Sequence, residues 1–171
     1  LKVAGSLDGR TALSNGVSQW ITSPEARTDG HAWRKRASAL LTGIGTVLED
    51  DPRLDVRLVP TERQPVRVVI DSRLEIAPTA RILQPPGTVW VYTAADPVES
   101  AARRAALQAL GATVIDCPGP AGKVDLPALL HDLARRDVNE LHVEAGHKLN
   151  GSFLREGLVD ELLLYLAPKL L

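Results

Sequence analysis

ALLTGIGTVLEDDPRL, residues Ala39 to Leu54, opens as an apolar run of the buried-strand kind. It breaks at Gly43-Ile44-Gly45-Thr46 into what reads as a helix. A strand that turns through glycine into a helix leaves the first backbone N–H groups of that helix without partners, and these attract an anion. Thr46 adds a hydroxyl, and Asp50 a carboxylate one turn further along. Pro52 is expected to hold Asp51 extended and to end the helix there, so that Asp50 faces the strand-end crevice while Asp51 caps or meets solvent. The same residues also fit an ordinary strand–turn–helix with a solvated acidic end.

The flanking sequence places this unit among others of its kind. On the amino-terminal side, Lys2 to Leu7 reads as a strand closed by the turn pair Asp8-Gly9. Ser23-Pro24-Glu25 is a hydroxyl cap with proline at the first helical position, starting a helix to about Ala37. On that helix Arg27, His31 and Arg34 share a face, as a phosphate clamp or a solvated basic face would. On the carboxyl-terminal side, strands are expected at Val66–Ile70, Val89–Thr93, Ala112–Ile115, Leu141–Glu144 and Glu161–Ala167. Helices are expected between them at about Val98–Leu110, Leu126–Arg135 and His147–Glu156. Alternation of this sort, with strands apolar throughout, predicts an α/β domain with a mainly parallel central sheet and helices on both faces. Ligands collect at the carboxyl ends of such strands. Polar clusters stand there at Gly43–Asp50, Asp71–Arg73, Thr93–Asp96 and Glu144–Gly146.

Composition narrows the chemistry. The 171 residues suit a single domain, and a net charge of −1 sets up no field that would recruit nucleic acid or a membrane. One cysteine, Cys117, excludes an internal disulfide framework and fits a reducing, cytoplasmic compartment. Four scattered histidines and that cysteine offer no zinc-ligand spacing, so no metal site is expected. The Rossmann fingerprint is broken, because Leu48 stands where its third glycine belongs. Neither a Walker lysine nor a nucleophile elbow is present. What remains is a nucleotide cofactor held by backbone amides, and hence redox or group-transfer chemistry. Ser72 and Arg73, just past a strand, suit a ribose 2′-phosphate and equally a surface turn. Lys2 and Glu144 bracket apolar strands, where a charge is costly unless paired or functional. His142 reads as a structural histidine with its nitrogens satisfied, Trp33 as core or stacking surface, and Trp20 as the better stacking candidate.

Six motifs in order then resemble one family: KVAGSLDG (Lys2–Gly9), SQWITSPEAR (Ser18–Arg27), GIGTVLEDDPRL (Gly43–Leu54), DSRL (Asp71–Leu74), VEAG (Val143–Gly146), and LVDEL with APKLL (Leu158–Leu162 and Ala167–Leu171). Together they are similar to the reductase domain of the riboflavin-biosynthesis deaminase/reductases. The resemblance implies a dihydrofolate-reductase-like three-layer fold with further strands after Leu171. It also implies NADPH-dependent reduction of the ribosyl group of 5-amino-6-(5-phosphoribosylamino)uracil to ribityl. By position, Ala4, Trp20, Thr46, Asp50, Ser72 and Gly146 would line the NADPH site. Ser18, Arg34, Leu54, Arg57 and Glu144 would surround the substrate, with both arginines near its phosphate. Lys2 and Asp50, with Glu144, would serve the reacting ribose carbon. A zinc deaminase domain in the parent chain and a homo-oligomer are further implications, although the deaminase motifs themselves are absent here. Two other readings stand beside this one: the sister reductase that acts before deamination, and a catalytically silent nucleotide-binding module.

Overall fold

A computed structural model describes residues 1–16, 21–84 and 86–171. The strands are β1 (Lys2–Ser6), β2 (Ala39–Gly43), β3 (Val66–Ile70), β4 (Val89–Thr93), β5 (Thr113–Asp116), β6 (Leu141–Val143) and β7 (Leu163–Ala167). The α-helices are α1 (Pro24–Arg36), α2 (Ile44–Asp50), α3 (Ala101–Ala109), α4 (Leu126–Arg135) and α5 (His147–Arg155). Local signals set several of these limits. Ser23 Oγ accepts from the Ala26 N–H and Pro24 occupies the first turn, so α1 begins where a cap and a fixed φ both favour it. Asp125 caps α4 in the same way through Ala128. The third helix starts at Ala101 instead of Val98, because Asp96 Oδ1 takes the Val98 and Glu99 N–H groups into a turn first.

The central sheet runs β5-β4-β3-β2-β6 and every pairing in it is parallel. Strands β1 and β7 add a parallel ladder of their own, in register from Lys2↔Leu163 to Ser6↔Ala167. Successive residues of the central strands feed opposite layers. Leu40, Val69 and Val91 pack with Val47 and Leu107 on one face, while Leu41, Val68 and Ile70 pack with Leu129, Leu133 and Phe153 on the other. Burial on both faces explains why these strands are continuously apolar, each large side chain contributing about 1.5–3 kcal/mol. One charge interrupts the pattern. Arg67 of β3 is 1% exposed and donates to the carbonyls of Ile82 and Gly87.

The strand order positions the site. From β2 the chain steps outward through β3, β4 and β5, then returns across the sheet so that β6 lies on the other side of β2. The two helices that leave β2 and β6 therefore cover opposite faces: α2 sends Val47 into one core and α5 sends Phe153 into the other. Such a reversal opens a crevice at the carboxyl ends of the two strands.

Candidate active site

The amino ends of α2 and α5 meet at this crevice. Neither Gly43 nor Gly146, the two cap residues, has a side chain to satisfy the first N–H groups. A Cβ on Gly146 would lie 3.8 Å from Thr46 Oγ1, and one on Gly43 would come within 3.0 Å of Leu149 Cδ2. Glycine at 43 thus lets α5 pack closely on β2, and glycine at 146 leaves the backbone open beside the Thr46 hydroxyl. Unpartnered N–H groups with a hydroxyl next to them make an anion cradle.

Beside the cradle, Glu144 is the centre of a charge cluster. It directly follows β6, and its N–H donates to the Leu41 carbonyl of β2. Arg34 of α1 meets its carboxylate bidentately, Nε to Oε1 at 2.6 Å and an Nη to Oε2 at 3.0 Å. Lys2 Nζ lies 3.9 Å from Oε2 and 5.6 Å from the centre of the Tyr165 ring. Desolvation alone would raise the Glu144 pKa, but the charge of Arg34, then the contacts of His142 and Arg34, with Lys2 behind them, hold it well below the usual carboxylate range. Glu144 is therefore an anion at neutral pH. His142, two residues earlier, is buried, and its Nε2 faces Glu144 Oε1 across a long contact of 3.4 Å that helps to keep the carboxylate ionised. The histidine expected to be satisfied is thus held by one long contact to the carboxylate, whose shorter bonds go to Arg34.

Arg34 also donates to the Asp55 carbonyl at 3.0 Å, so most of its donors are taken within the protein. Its helix neighbour His31 accepts the Arg57 N–H through Nδ1 at 3.1 Å and faces Arg34 through Nε2. Burial first, then the charges of Arg34 and Arg57, push the His31 pKa down to about 4. Arg27 turns away from them to the Thr22 carbonyl. The basic face of α1 is thus neither a free clamp nor a solvated surface; it binds the segment that follows α2. Arg57 itself ends that segment, half-exposed and paired with Asp55. Leu54 is buried in a left-handed conformation at φ 47°.

Thr46 and Asp50 lie one turn apart on the same face of α2. Asp50 is exposed and without a hydrogen-bond or ion-pair partner among the described residues; its pKa is raised by desolvation and then by Glu49. No such contact joins it to Lys2 or Glu144, so the acid and the charge cluster are separate features of the crevice. The expected extended backbone at Asp51 is corrected: this residue is left-handed (φ 40°, ψ 57°) and is the C-cap of α2. Aspartate tolerates that conformation, and its Oδ1 is held by the Arg81 N–H at 2.8 Å. Ser72 Oγ accepts the Val124 N–H, and Arg73 is exposed beside it with no partner among the described residues. Both follow β3, whose Ile70 pairs with Gly43, so they stand one strand from the cradle. Ala4 lies half-buried in β1. Trp33 is stacked under Arg36 at 4.5 Å. Ser18 and Trp20 lie outside the described residues.

Three features of the site went unread in the sequence. Asp55 is one, flanked at two residues on either side by Arg53 and Arg57. The contact of His142, read only as a structural histidine, with Glu144 is another. The third, Tyr165 donating to Asp29 of α1, carries no local signal. Among the described residues, no group of three or more His, Cys, Asp or Glu is placed to hold a metal ion, and no helix is long and apolar enough to cross a membrane.

A parallel three-layer sheet with a polar crevice at its reversal point defines an α/β domain of the dihydrofolate-reductase-like class. Comparison with known proteins narrows this to one family. The RibD C-terminal domain matches over residues 1–171, and the chain belongs to that family. It is 43% identical to the riboflavin biosynthesis protein RibD of Escherichia coli K12, over all of this chain and 48% of that protein. It is 31% identical to a 5-amino-6-(5-phosphoribosylamino)uracil reductase of Buchnera aphidicola, over 93% of this chain and 79% of that one. The solved structure of Acinetobacter baumannii RibD superposes with a TM-score of 0.82 at 38% identity, over 99% of this chain and 46% of that one. The chain thus spans about half the length of the RibD proteins it matches.

Proposed function

We propose that this domain reduces the ribosyl group of 5-amino-6-(5-phosphoribosylamino)uracil to the ribitylamino product, using NADPH, in riboflavin biosynthesis. The observation that carries the proposal is the meeting of the α2 and α5 amino ends, with Thr46 beside Gly146, next to an ionised Glu144 held by Arg34 and Lys2. The relatives whose names specify this reaction or its pathway support it.

The donor set fits the cofactor. The uncapped N–H groups after Gly146, with the Thr46 hydroxyl, suit a pyrophosphate. Ser72 and the exposed Arg73 suit a 2′-phosphate, and Ala4 and Trp20 are assigned to the NADPH site with them. When bound, NADPH supplies the hydride for the ribose C1. This chain's residues do the rest. Glu144, kept anionic, accepts hydrogen bonds from ribose hydroxyls, and Lys2 beside it donates to them. Asp50, whose raised pKa favours holding a proton, manages the proton that the departing ring oxygen requires. Ser18, Leu54 and Arg57 are assigned to the substrate with Arg34, whose part is to fix Glu144.

Loss of NADPH absorbance on addition of the deaminated substrate tests the reading. Faster turnover of the diaminopyrimidine would instead assign the chain to the sister reductase, and oxidation with neither compound would leave a silent binding module. Cytoplasmic location, a homo-oligomer and a zinc deaminase domain in the parent chain belong to the same proposal.

A further inference from the structure

The segment from Asp51 to Arg57 is held far more firmly than a loop needs. Gln64 takes both the N–H and the carbonyl of Val56, at 2.8 and 2.9 Å. His31 takes the Arg57 N–H, Arg34 takes the Asp55 carbonyl, and Leu54 sits in the core. With the backbone so secured, two side-chain pairs are left over. The Asp55 carboxylate, whose side chain is 7% exposed, receives Arg53 Nε at 2.9 Å on one oxygen and Arg57 Nη1 at 2.7 Å on the other. Both arginine side chains are partly exposed, 39% and 48%. Each pair joins a buried carboxylate to a partly exposed guanidinium, so the desolvation of Asp55 is offset by fixing two cations in place. What the arrangement achieves is geometric: two cations are held on the two oxygens of one carboxylate, with a net positive charge. A planar guanidinium offers five donors in a rigid fork, and these two use one apiece on Asp55.

We infer that Arg53, aligned by Asp55 beside the Arg57 that the family resemblance already assigns to the substrate phosphate, is a second contact to that phosphate monoester, with Asp55 a positioning residue. The inference rests on the proposed phosphoribosyl substrate. It also gives Arg34 a distinct part: one guanidinium grips Glu144 and the Asp55 carbonyl together, so the seat and the carboxylate assigned to the ribose are rigidly spaced. A phosphate dianion is the ligand such a pair selects, because two forks can serve several of its oxygens at once.

The test uses the protein with NADPH and two substrates, phosphorylated and dephosphorylated. Arg53→Gln and Asp55→Asn are expected to raise KM for the phosphorylated compound at least about tenfold, the equivalent of one charge-assisted hydrogen bond. The change should fall on KM and not on kcat, with less than about a threefold change in KM for the dephosphorylated compound. Arg53→Lys should recover part of the loss. Equal damage on both substrates, or no change in KM, would overturn the inference. Calorimetric titration with ribose 5-phosphate separates this from the proposed function. Binding to the wild type that is lost in the Arg53→Gln/Arg57→Gln double variant upholds the seat even if no reductase activity is found, whereas equal binding to both refutes it.

Discussion

Replacing Arg34 by methionine removes the charge that keeps Glu144 ionised while filling most of the same volume. Both side chains are only 15% exposed, and the pair is bidentate at 2.6 and 3.0 Å. Removing one partner of a buried ion pair costs roughly 3–5 kcal/mol, because the other charge is left uncompensated. Lys2, at 3.9 Å and partly exposed, compensates some of this, so about 3 kcal/mol is expected. For a chain of this length, that corresponds to a Tm lower by roughly 6–12 °C. Urea unfolding of Arg34→Met, Glu144→Gln and the double variant at pH 7 reads the coupling directly. The double variant should be at least ~1.5 kcal/mol more stable than the sum of the single losses predicts. The pH dependence carries a definite sign. The Glu144 pKa is depressed by folding, so its contribution is fully present above the ordinary value of 4.5 and is lost as pH falls through the lower folded value. The Arg34→Met penalty should therefore shrink on acidification below about 4.5. Additivity within ~0.5 kcal/mol, or a penalty independent of pH, would refute the role of Arg34 in holding Glu144 ionised.

Asp50→Asn should lower kcat by a factor on the order of 10²–10⁴, the usual effect of losing an acid–base group, with NADPH affinity little changed; full activity would show that Asp50 takes no part in proton transfer. Asp51→Ala should leave kcat within about twofold and lower stability by roughly 1–2 kcal/mol, since the Arg81 N–H loses its acceptor and alanine tolerates the left-handed backbone less well. Arg73→Ala should weaken NADPH binding by roughly 1.5–3 kcal/mol and NADH binding hardly at all; equal losses for the two cofactors would remove Arg73 from the 2′-phosphate. His31, whose pKa falls from 6.5 to about 4 on folding, makes the unfolded chain bind more protons between those values, so stability should drop by roughly 2–3 kcal/mol as pH falls across that window. His31→Asn should flatten that part of the stability curve, and an unchanged slope would mean that another group titrates there.

Much of this molecule is written locally. The limits of β3, β4 and α4 follow from apolar runs and their breakers, and the start of α1 from Ser23 and Pro24, because each depends on hydrogen bonds and packing within a few residues. The glycine turn after β2, with Thr46 in the first turn of the helix, is legible for the same reason. The backbone of Asp51 was not, since the preference of a residue before proline gave way to a C-cap and a distant N–H from Arg81. Nor does any local pattern say that β6 returns to the far side of β2, because short apolar strands of similar composition pair with one another almost equally well. That choice alone brings the amino ends of α2 and α5 together. It also lets Arg34 reach Glu144 across 110 residues, which turns two charges of unknown partner into the centre of the site. Burial of Asp55 between two arginines, and the exposed acid at Asp50, likewise depend on what packs around a side chain. Long-range pairing and desolvation are properties of the folded chain, and they decided which of its polar residues share a crevice.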